Sequence, residues 1–127
     1  MGKRVAILGG TGKMGRWFAG FFLSKGYEVV LASRSAERAA RAAEELGVAS
    51  AASHEEAVGN ADVVLVSTPI EATAETIRAV KDRLPRGAVI FDIASVKGDI
   101  PKALLEATEY GAKALSVHPL FLSLIHI

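Results

Sequence analysis

The sequence predicts an α/β fold in which helices cover both faces of a doubly wound parallel sheet. Short apolar runs alternate throughout with segments whose apolar residues recur at helical spacing. Glycines, prolines and capping residues separate these segments by short loops, which favours right-handed crossovers between parallel strands. The expected strand order is 3-2-1-4-5-6, with ligands at the carboxyl ends of the strands near the switch point between strands 1 and 4.

The predicted strands are short, and most consist of apolar residues. The run at 63–66 is continuously apolar, which is typical of a parallel strand covered on both faces. The six strands are expected at residues 5–8, 28–32, 48–51, 63–66, 88–91 and 114–117.

The predicted helices have start signals, stop signals and one apolar face each. The expected N-caps are Ser35, Ser53 in a capping box with Glu56, and Asp99 followed by Pro101. The first helix is expected at 13–25, and the stops are Gly26, Gly47 and the Pro-Arg-Gly of 85–87. The apolar faces are expected at Met14, Trp17, Phe18, Phe21 and Phe22, then at Ala39, Ala42, Ala43 and Leu46, and finally at Thr73, Ile77, Val80 and Leu84.

A G-x-G-x-x-G motif lies between the first predicted strand and the first predicted helix. Gly10 would form the tight turn, Gly12 would let the backbone approach a pyrophosphate, and Gly15 would let the helix pack closely on the strand. The free N–H groups and the positive dipole end of the helix suit a diphosphate. The motif therefore predicts a dinucleotide site in a Rossmann domain, with Thr11, Lys13 and Met14 beside the glycines. The alternative is an ordinary glycine-rich turn.

The residues after the second strand favour NADP over NAD. An NAD site normally has Asp or Glu there to bind the ribose hydroxyls. This chain instead has Ser33 and Arg34, with Arg38 one turn into the helix, and guanidinium groups suit a 2′-phosphate. The alternative is a solvated helix face on which Arg41 pairs with Glu45.

Polar residues at the ends of the remaining strands are the other site candidates. Ser67, Thr68 and Pro69 follow the fourth strand and are expected to line the cofactor site. Ser95 lies in the loop after the fifth strand, where a turn or capping role is the alternative. His118 ends the sixth strand and is either catalytic or a structural hydrogen-bonding group. The other histidines are expected on the surface, at His54, and in the C-terminal tail, at His126.

Composition narrows the function classes. The chain has 127 residues, is 50% hydrophobic and carries a net charge of +1, which suits one globular domain and gives no sign of a nucleic-acid or membrane partner. It has no cysteine, so disulfides and thiolate metal sites are excluded, and no metal-ligand cluster is recognisable. No run approaches the ~20 apolar residues of a membrane span. We expect a cytoplasmic domain without a metal.

Four motifs together resemble the N-terminal domain of archaeal-type prephenate dehydrogenases. They are G-G-T-G-K-M-G-R-W-F at the start, S-T-P-I after strand 4, D-I-A-S-V-K after strand 5 and S-V-H-P-L-F after strand 6. The resemblance implies oxidative decarboxylation of prephenate, or of arogenate, in tyrosine biosynthesis. It also implies that His118 is the catalytic histidine bonding the substrate's ring hydroxyl and that Ser95 helps to hold both. A neutral imidazole suits the acceptance of the hydroxyl proton.

The end of the chain departs from this family pattern. Family members continue with Gly-Pro after H-P-[LM]-F and then with a helical domain that forms a homodimer, whereas residues 122–127 here are largely apolar and unrelated. We therefore expect a nucleotide-binding domain at 1–121, a non-family tail at 122–127 and no helical dimerisation domain. Such a fragment would bind cofactor and turn over poorly or not at all.

Two other functions are compatible with the same motifs. A deazaflavin-dependent NADP reductase shares G-G-T-G and the serine–arginine pair, but it does not require Ser95 and His118 to converge. A non-catalytic NADP(H)-binding module would bind the cofactor tightly and would show no redox effect of changing His118.

Overall fold

The computed structural model describes residues 3–93 and 98–116, and within them six strands alternate with five helices. In chain order these elements are β1 (Arg4–Leu8), α1 (Lys13–Ser24), β2 (Glu28–Ala32), α2 (Ala36–Leu46), β3 (Ala49–Ser50), α3 (His54–Val58), β4 (Val63–Val66), α4 (Ile70–Val80), β5 (Val89–Asp92), α5 (Ile100–Thr108) and β6 (Lys113–Ser116).

The strands form one parallel sheet in the order β3-β2-β1-β4-β5-β6, which confirms the predicted topology. The central strand β1 pairs with β2 on one side and with β4 on the other. The chain reverses its direction of winding here, so the loops after β1 and β4 diverge to opposite faces and leave a crevice at the carboxyl edge.

The two faces of β1 explain its continuous apolar run. Ala6 and Leu8 belong to the core cluster on one face of the sheet, whereas Val5 and Ile7 belong to the cluster on the other. All four side chains are fully buried. Because helices cover both faces, neither set of alternating positions can be polar.

The local signals of α2 and α3 are confirmed in detail. The Ser35 side chain accepts a hydrogen bond from the Arg38 N–H at 3.2 Å, and Gly47 ends α2 with φ of +73°. Ala39, Ala42 and Ala43 form the buried face of α2. In α3, the Ser53 hydroxyl accepts from the backbone N–H of Glu56 at 3.1 Å.

Two details of the predicted helices were wrong. Phe21 is not a core residue: 39% of it is exposed, and its ring stacks on Trp17 instead. The sheet and α2 cover only the side of α1 that carries Phe18 and Ala19, so the predicted stripe is wider than the buried face.

Asp99 stands at the N-cap of α5 without a capping bond, because its carboxylate accepts from Arg78 Nη1 at 2.6 Å.

Several element boundaries differ from the prediction by a few residues. Helix α4 ends at Val80, so Leu84 is buried in the turn that follows it. Strands β5 and β6 are each displaced by one residue because the ladder pairs Val66 with Asp92, and Asp92 with Ser116. The ends of a strand thus depend on hydrogen bonds to the neighbouring strands, and β5 includes Asp92 although its side chain is polar. The predicted tail at 122–127 lies outside the described residues.

Candidate cofactor-binding site

The carboxyl ends of β1, β2 and β4 enclose a cavity of about 610 Å³. This volume lies within the usual range for small-molecule sites. The predicted residues that line it are Thr11, Gly12, Lys13, Met14, Ser33, Arg34, Arg38, Ser67, Thr68 and Pro69. The other lining residues, which the sequence analysis did not assign to the site, are Gly9, Ser35, His54, Val66, Ile70, Thr76 and Ile93.

The turn after β1 depends on Gly9 as well as on the motif glycines. Gly9 has φ of +80°, so the left-handed position of the turn is Gly9 and not Gly10. The N–H groups of both glycines donate to the Ala32 carbonyl, at 2.7 and 3.2 Å. A Cβ on Gly9 would lie 2.9 Å from the carbonyl oxygen of Ser67. The turn therefore needs a residue without a side chain to bring the β1 and β4 loops together.

Gly10 and Gly15 do not line the cavity and instead serve the packing of α1 on the sheet. A Cβ on Gly15 would lie 2.6 Å from the Cα atom of Gly10, and a Cβ on Gly10 would lie 2.8 Å from Cδ2 of Leu31. These separations are shorter than van der Waals contact, so α1 reaches the sheet only because both residues are glycines. Gly15 thus has the packing position expected of it.

Gly12 faces open space at the start of α1. It is the N-cap residue, its φ is −82°, and a Cβ built on it meets no atom within 4 Å. The first turn has neither a side-chain cap nor an acidic residue, so its N–H groups and positive dipole end are available to an anion. Arg16 braces the loop by donating from Nε to the Thr11 carbonyl at 3.1 Å. This arrangement fits a bound diphosphate.

The loop after β2 presents Arg34 on a short hydrogen-bonded turn. The Ser33 hydroxyl donates to the Ser35 carbonyl at 2.6 Å and accepts from the Ser35 N–H at 3.1 Å. These bonds fix the backbone on either side of Arg34, whose side chain is exposed at the cavity. Ser33 therefore shapes the turn in addition to lining the cavity.

The guanidinium groups of Arg34 and Arg38 make no ion pair within residues 3–93 and 98–116. Arg41, one turn further along α2, is paired with Glu37 at 2.9 Å. The suggested pair between Arg41 and Glu45 was wrong, because Glu45 instead accepts from Arg16 Nη1. Two cations at the cavity are thus left for a ligand, while Glu37, the next carboxylate along the chain, pairs with Arg41.

The loop after β4 is held by Thr73, which the sequence suggested only as a helix-face residue. Thr73 is buried, and its hydroxyl donates to the Pro69 carbonyl at 3.0 Å. The Thr68 and Thr73 hydroxyl oxygens lie 2.9 Å apart in a further hydrogen bond. The Ser67 N–H donates to the Leu8 carbonyl at 2.8 Å. These bonds place Ser67 and Thr68 opposite the glycine loop.

The sequence suggested that His54 is a surface residue, and this prediction was wrong. It is half-buried in the first turn of α3 and lines the cavity, and its Nε2 atom is shielded from solvent without a hydrogen-bond partner among the described residues. Burial lowers the pKa of His54 from its ordinary value; Glu55 acts in the opposite direction and Arg34 in the same one. Sequence reasoning missed it because the flanking Glu55 and Glu56 suggest solvent.

The two predicted catalytic residues, Ser95 and His118, lie outside the described residues, as does His126. Their convergence therefore stays a prediction. The described chain does bring the end of β5 to the cavity, where Ile93 contributes to the lining. In residues 3–93 and 98–116, no group of three or more histidines and carboxylates has the geometry of a metal site. No helix of this part is both long and apolar enough to cross a bilayer.

Comparisons with known proteins place the fold among nucleotide-dependent oxidoreductases. The chain is 33% identical over 117 residues to a probable arogenate/prephenate dehydrogenase of Methanocaldococcus jannaschii, a match covering 92% of this chain and 26% of that protein. It is 34% identical over 100 residues to an F420-dependent NADP reductase of Methanothermobacter thermautotrophicus, covering 72% of this chain and 43% of the reductase. The Mycobacterium tuberculosis 3-hydroxyisobutyrate dehydrogenase superposes with a TM-score of 0.80 at 27% identity, over 91% of this chain and 40% of that one.

These matches confirm the predicted resemblance to prephenate dehydrogenases and the prediction of an NAD(P)-dependent oxidoreductase domain. The chain spans about a quarter of the length of the archaeal dehydrogenase. A family model described as "NADP oxidoreductase coenzyme F420-dependent" matches residues 4–96, which include the glycine loop after β1, the loop of residues 33–35 after β2 (the arginine loop) and the loop after β4. The chain belongs to this family.

Proposed function

We propose that this chain is the NADP(H)-binding domain of a prephenate or arogenate dehydrogenase. The observation that carries the cofactor assignment is the pair of unpaired guanidinium groups, Arg34 and Arg38, in the same cavity as the open N-terminus of α1 at Gly12. NADP(H) has a diphosphate and a 2′-phosphate. The open N-terminus of α1 suits the diphosphate, and the guanidinium groups suit the 2′-phosphate.

The charge arrangement around Arg34 supports NADP over NAD. A charge-assisted hydrogen bond contributes about 1.5–3 kcal/mol, which corresponds to roughly a tenfold to hundredfold preference. A carboxylate that bound ribose hydroxyls would repel the 2′-phosphate, and the carboxylate next along the chain, Glu37, is engaged by Arg41. NAD lacks the 2′-phosphate and would leave both cations without a partner.

In this proposal the described residues bind and orient the cofactor. The loop at Gly12 holds the diphosphate, and the turn at Arg34 holds the adenosine end. Ser67 and Thr68, fixed by Thr73, lie along the path toward the nicotinamide end. The bound cofactor would supply hydride transfer. Rigid positioning of this kind is the protein's main contribution when the cofactor carries the chemistry.

The substrate assignment depends on the resemblance. The motifs after strands 5 and 6 are similar to those of prephenate dehydrogenases, and a relative described as a probable arogenate/prephenate dehydrogenase matches 92% of the chain. We propose that His118 accepts the hydroxyl proton as prephenate is oxidised and decarboxylated to 4-hydroxyphenylpyruvate, and that Ser95 holds the same hydroxyl. We expect the active enzyme to be a cytoplasmic homodimer in tyrosine biosynthesis, as the resemblance implies.

Parallel titration with NADP and NAD tests the cofactor proposal. By isothermal titration calorimetry, we expect the wild-type chain to prefer NADP, and Arg34→Ala to lose about tenfold or more of its NADP affinity while its NAD affinity stays within twofold. Arg83→Ala is the matched control, because it removes an exposed arginine that makes no ion pair among the described residues and does not line the cavity. Equal wild-type affinities for the two cofactors would overturn the assignment.

An F420-dependent NADP reductase is the second candidate function. The description of the matching family and a relative of which the chain covers 43% both favour it. Both candidates bind NADP, so the second ligand distinguishes them. Binding of prephenate to the NADP-saturated chain would support the dehydrogenase, whereas binding of the deazaflavin F420 under the same conditions would support the reductase.

A further inference from the structure

The imidazole of His54 is an unused polar group at the cavity. Its Nε2 atom is shielded from solvent and has no hydrogen-bond partner in the described part of the chain. His54 nevertheless lines the cavity, as do residues of the arginine loop. Buried polar atoms of folded proteins are nearly always bonded, so an exception calls for an explanation such as a ligand. The Ser53 hydroxyl, next to His54 in the chain, and the Ser33 and Ser35 hydroxyls, at the same cavity, already have partners.

The charge state of the ring suits it to a hydrogen bond with a nucleotide. Burial, and the neighbouring cation of Arg34, lower the pKa of His54, while Glu55 partly offsets them. The ring is therefore neutral near pH 7 and has one N–H donor and one acceptor nitrogen. His54 lines the same cavity as Arg34, whose guanidinium is proposed to bind the 2′-phosphate.

We propose that His54 is a further cofactor-binding residue, whose Nε2 atom hydrogen-bonds the adenosine half of NADP(H). This inference rests on the proposed binding of NADP(H) in the same cavity. It assigns a role to α3, an element that the glycine motif and the arginine loop do not include.

A turn of the ring brings Nε2 to the ligand. In the present orientation Nε2 is shielded from solvent, although His54 is one of the residues that line the cavity. Rotation about the Cβ–Cγ bond of histidine is broad and roughly two-fold, and a half-turn of the ring exchanges the positions of Nε2 and Cε1. The unbonded orientation gains nothing from its surroundings, and the adenosine half supplies the missing partner.

Titration with 2′,5′-ADP, which contains only the adenosine half, tests the proposal. We expect His54→Phe, which keeps a ring but removes both nitrogens, to bind this probe about three- to tenfold more weakly than wild type. His54→Gln, which restores a polar group near the position of Nε2, should recover most of the affinity. Glu56→Gln on the exposed side of α3 is the control and should bind as wild type. Nicotinamide mononucleotide should bind all four proteins equally.

The outcomes separate this inference from the proposal beneath it. If the wild-type chain does not bind 2′,5′-ADP, the proposed function and this inference both fail. If wild type binds and His54→Phe binds equally well, only the role of His54 is overturned.

A measurement on wild type covers the case in which His54→Phe does not fold. The His54 ring resonance, assigned by its absence from the NMR spectrum of His54→Gln, should shift when 2′,5′-ADP is added. A resonance that does not move at saturation would contradict the contact.

Discussion

Two pairs of basic residues in this chain differ in whether the protein supplies them with carboxylate partners. Arg34, in the loop after β2, and Arg38, in the first turn of α2, have no carboxylate partner among the described residues. Arg78 and Lys81, on α4, are both engaged by carboxylates of the α5 region. The presence of a basic residue is therefore not informative by itself. The presence or absence of a protein partner indicates whether the cation stabilises the fold or is available to a ligand.

The engaged cluster joins α4 to α5. Arg78 donates to Asp99 at 2.6 Å and to Glu106 at 3.0 Å, and Lys81 donates to the second oxygen of Glu106 at 3.2 Å. These bonds lower the pKa of Glu106 to about 2 and also lower that of Asp99. Every charge in the cluster has its partner, so the cluster has a structural role.

The largest effect on the fold is expected at Gly15. Gly15→Ala would place a Cβ 2.6 Å from the Cα atom of Gly10, where backbone on both sides has little freedom to move. Overpacking of this kind costs about 1–3 kcal/mol of unfolding free energy, which urea denaturation would measure.

Gly20→Ala is the matched control for Gly15→Ala. Gly20 lies in the same helix, is exposed, and has no atom within 4 Å of a built Cβ. Alanine should stabilise the helix there by about 0.5–1 kcal/mol. If both variants changed stability in the same direction, the packing role of Gly15 would be wrong.

A smaller effect is expected from acid titration of Glu106. Its pKa is about 2 in the folded chain against 4.5 ordinarily, so the unfolded chain binds more protons between these values. The stability that Glu106 contributes is present above pH 4.5 and is lost as the pH falls toward 2. The difference in unfolding free energy between wild type and Glu106→Gln should therefore shrink over this interval. A difference that is constant with pH would mean that the ion pairs do not contribute.

Much of the fold and the outline of the site were predictable because they depend on local patterns. The continuous apolar runs require strands buried on both faces, and the glycine motif requires a strand before it and a helix after it. From these follow the strand order and the proximity of Gly12, Arg34 and Ser67. Capping by Ser35 and Ser53 is equally local, since donor and acceptor lie three residues apart.

The details that the sequence did not predict depend on distant contacts. Asp99 makes no capping bond because its carboxylate accepts from Arg78, a residue 21 positions away. His54 became part of the cavity because α3 lies beside the end of β2, although its sequence neighbours are acidic. Gly9 must be a glycine partly because of Ser67 in another loop, whose carbonyl oxygen would lie 2.9 Å from a Cβ at this position. The positions of Ser95 and His118 lie outside the described residues, so their convergence stays a prediction.

The most direct test of the account is the NADP affinity of Gly12→Ala. Nothing in the described structure lies within 4 Å of the added methyl group, so the variant should fold with nearly unchanged unfolding free energy. The methyl group would occupy the place where the diphosphate approaches the backbone, and we predict at least about tenfold weaker binding of NADP by calorimetry. A folded Gly12→Ala chain that binds NADP as tightly as wild type would contradict a diphosphate site at the start of α1.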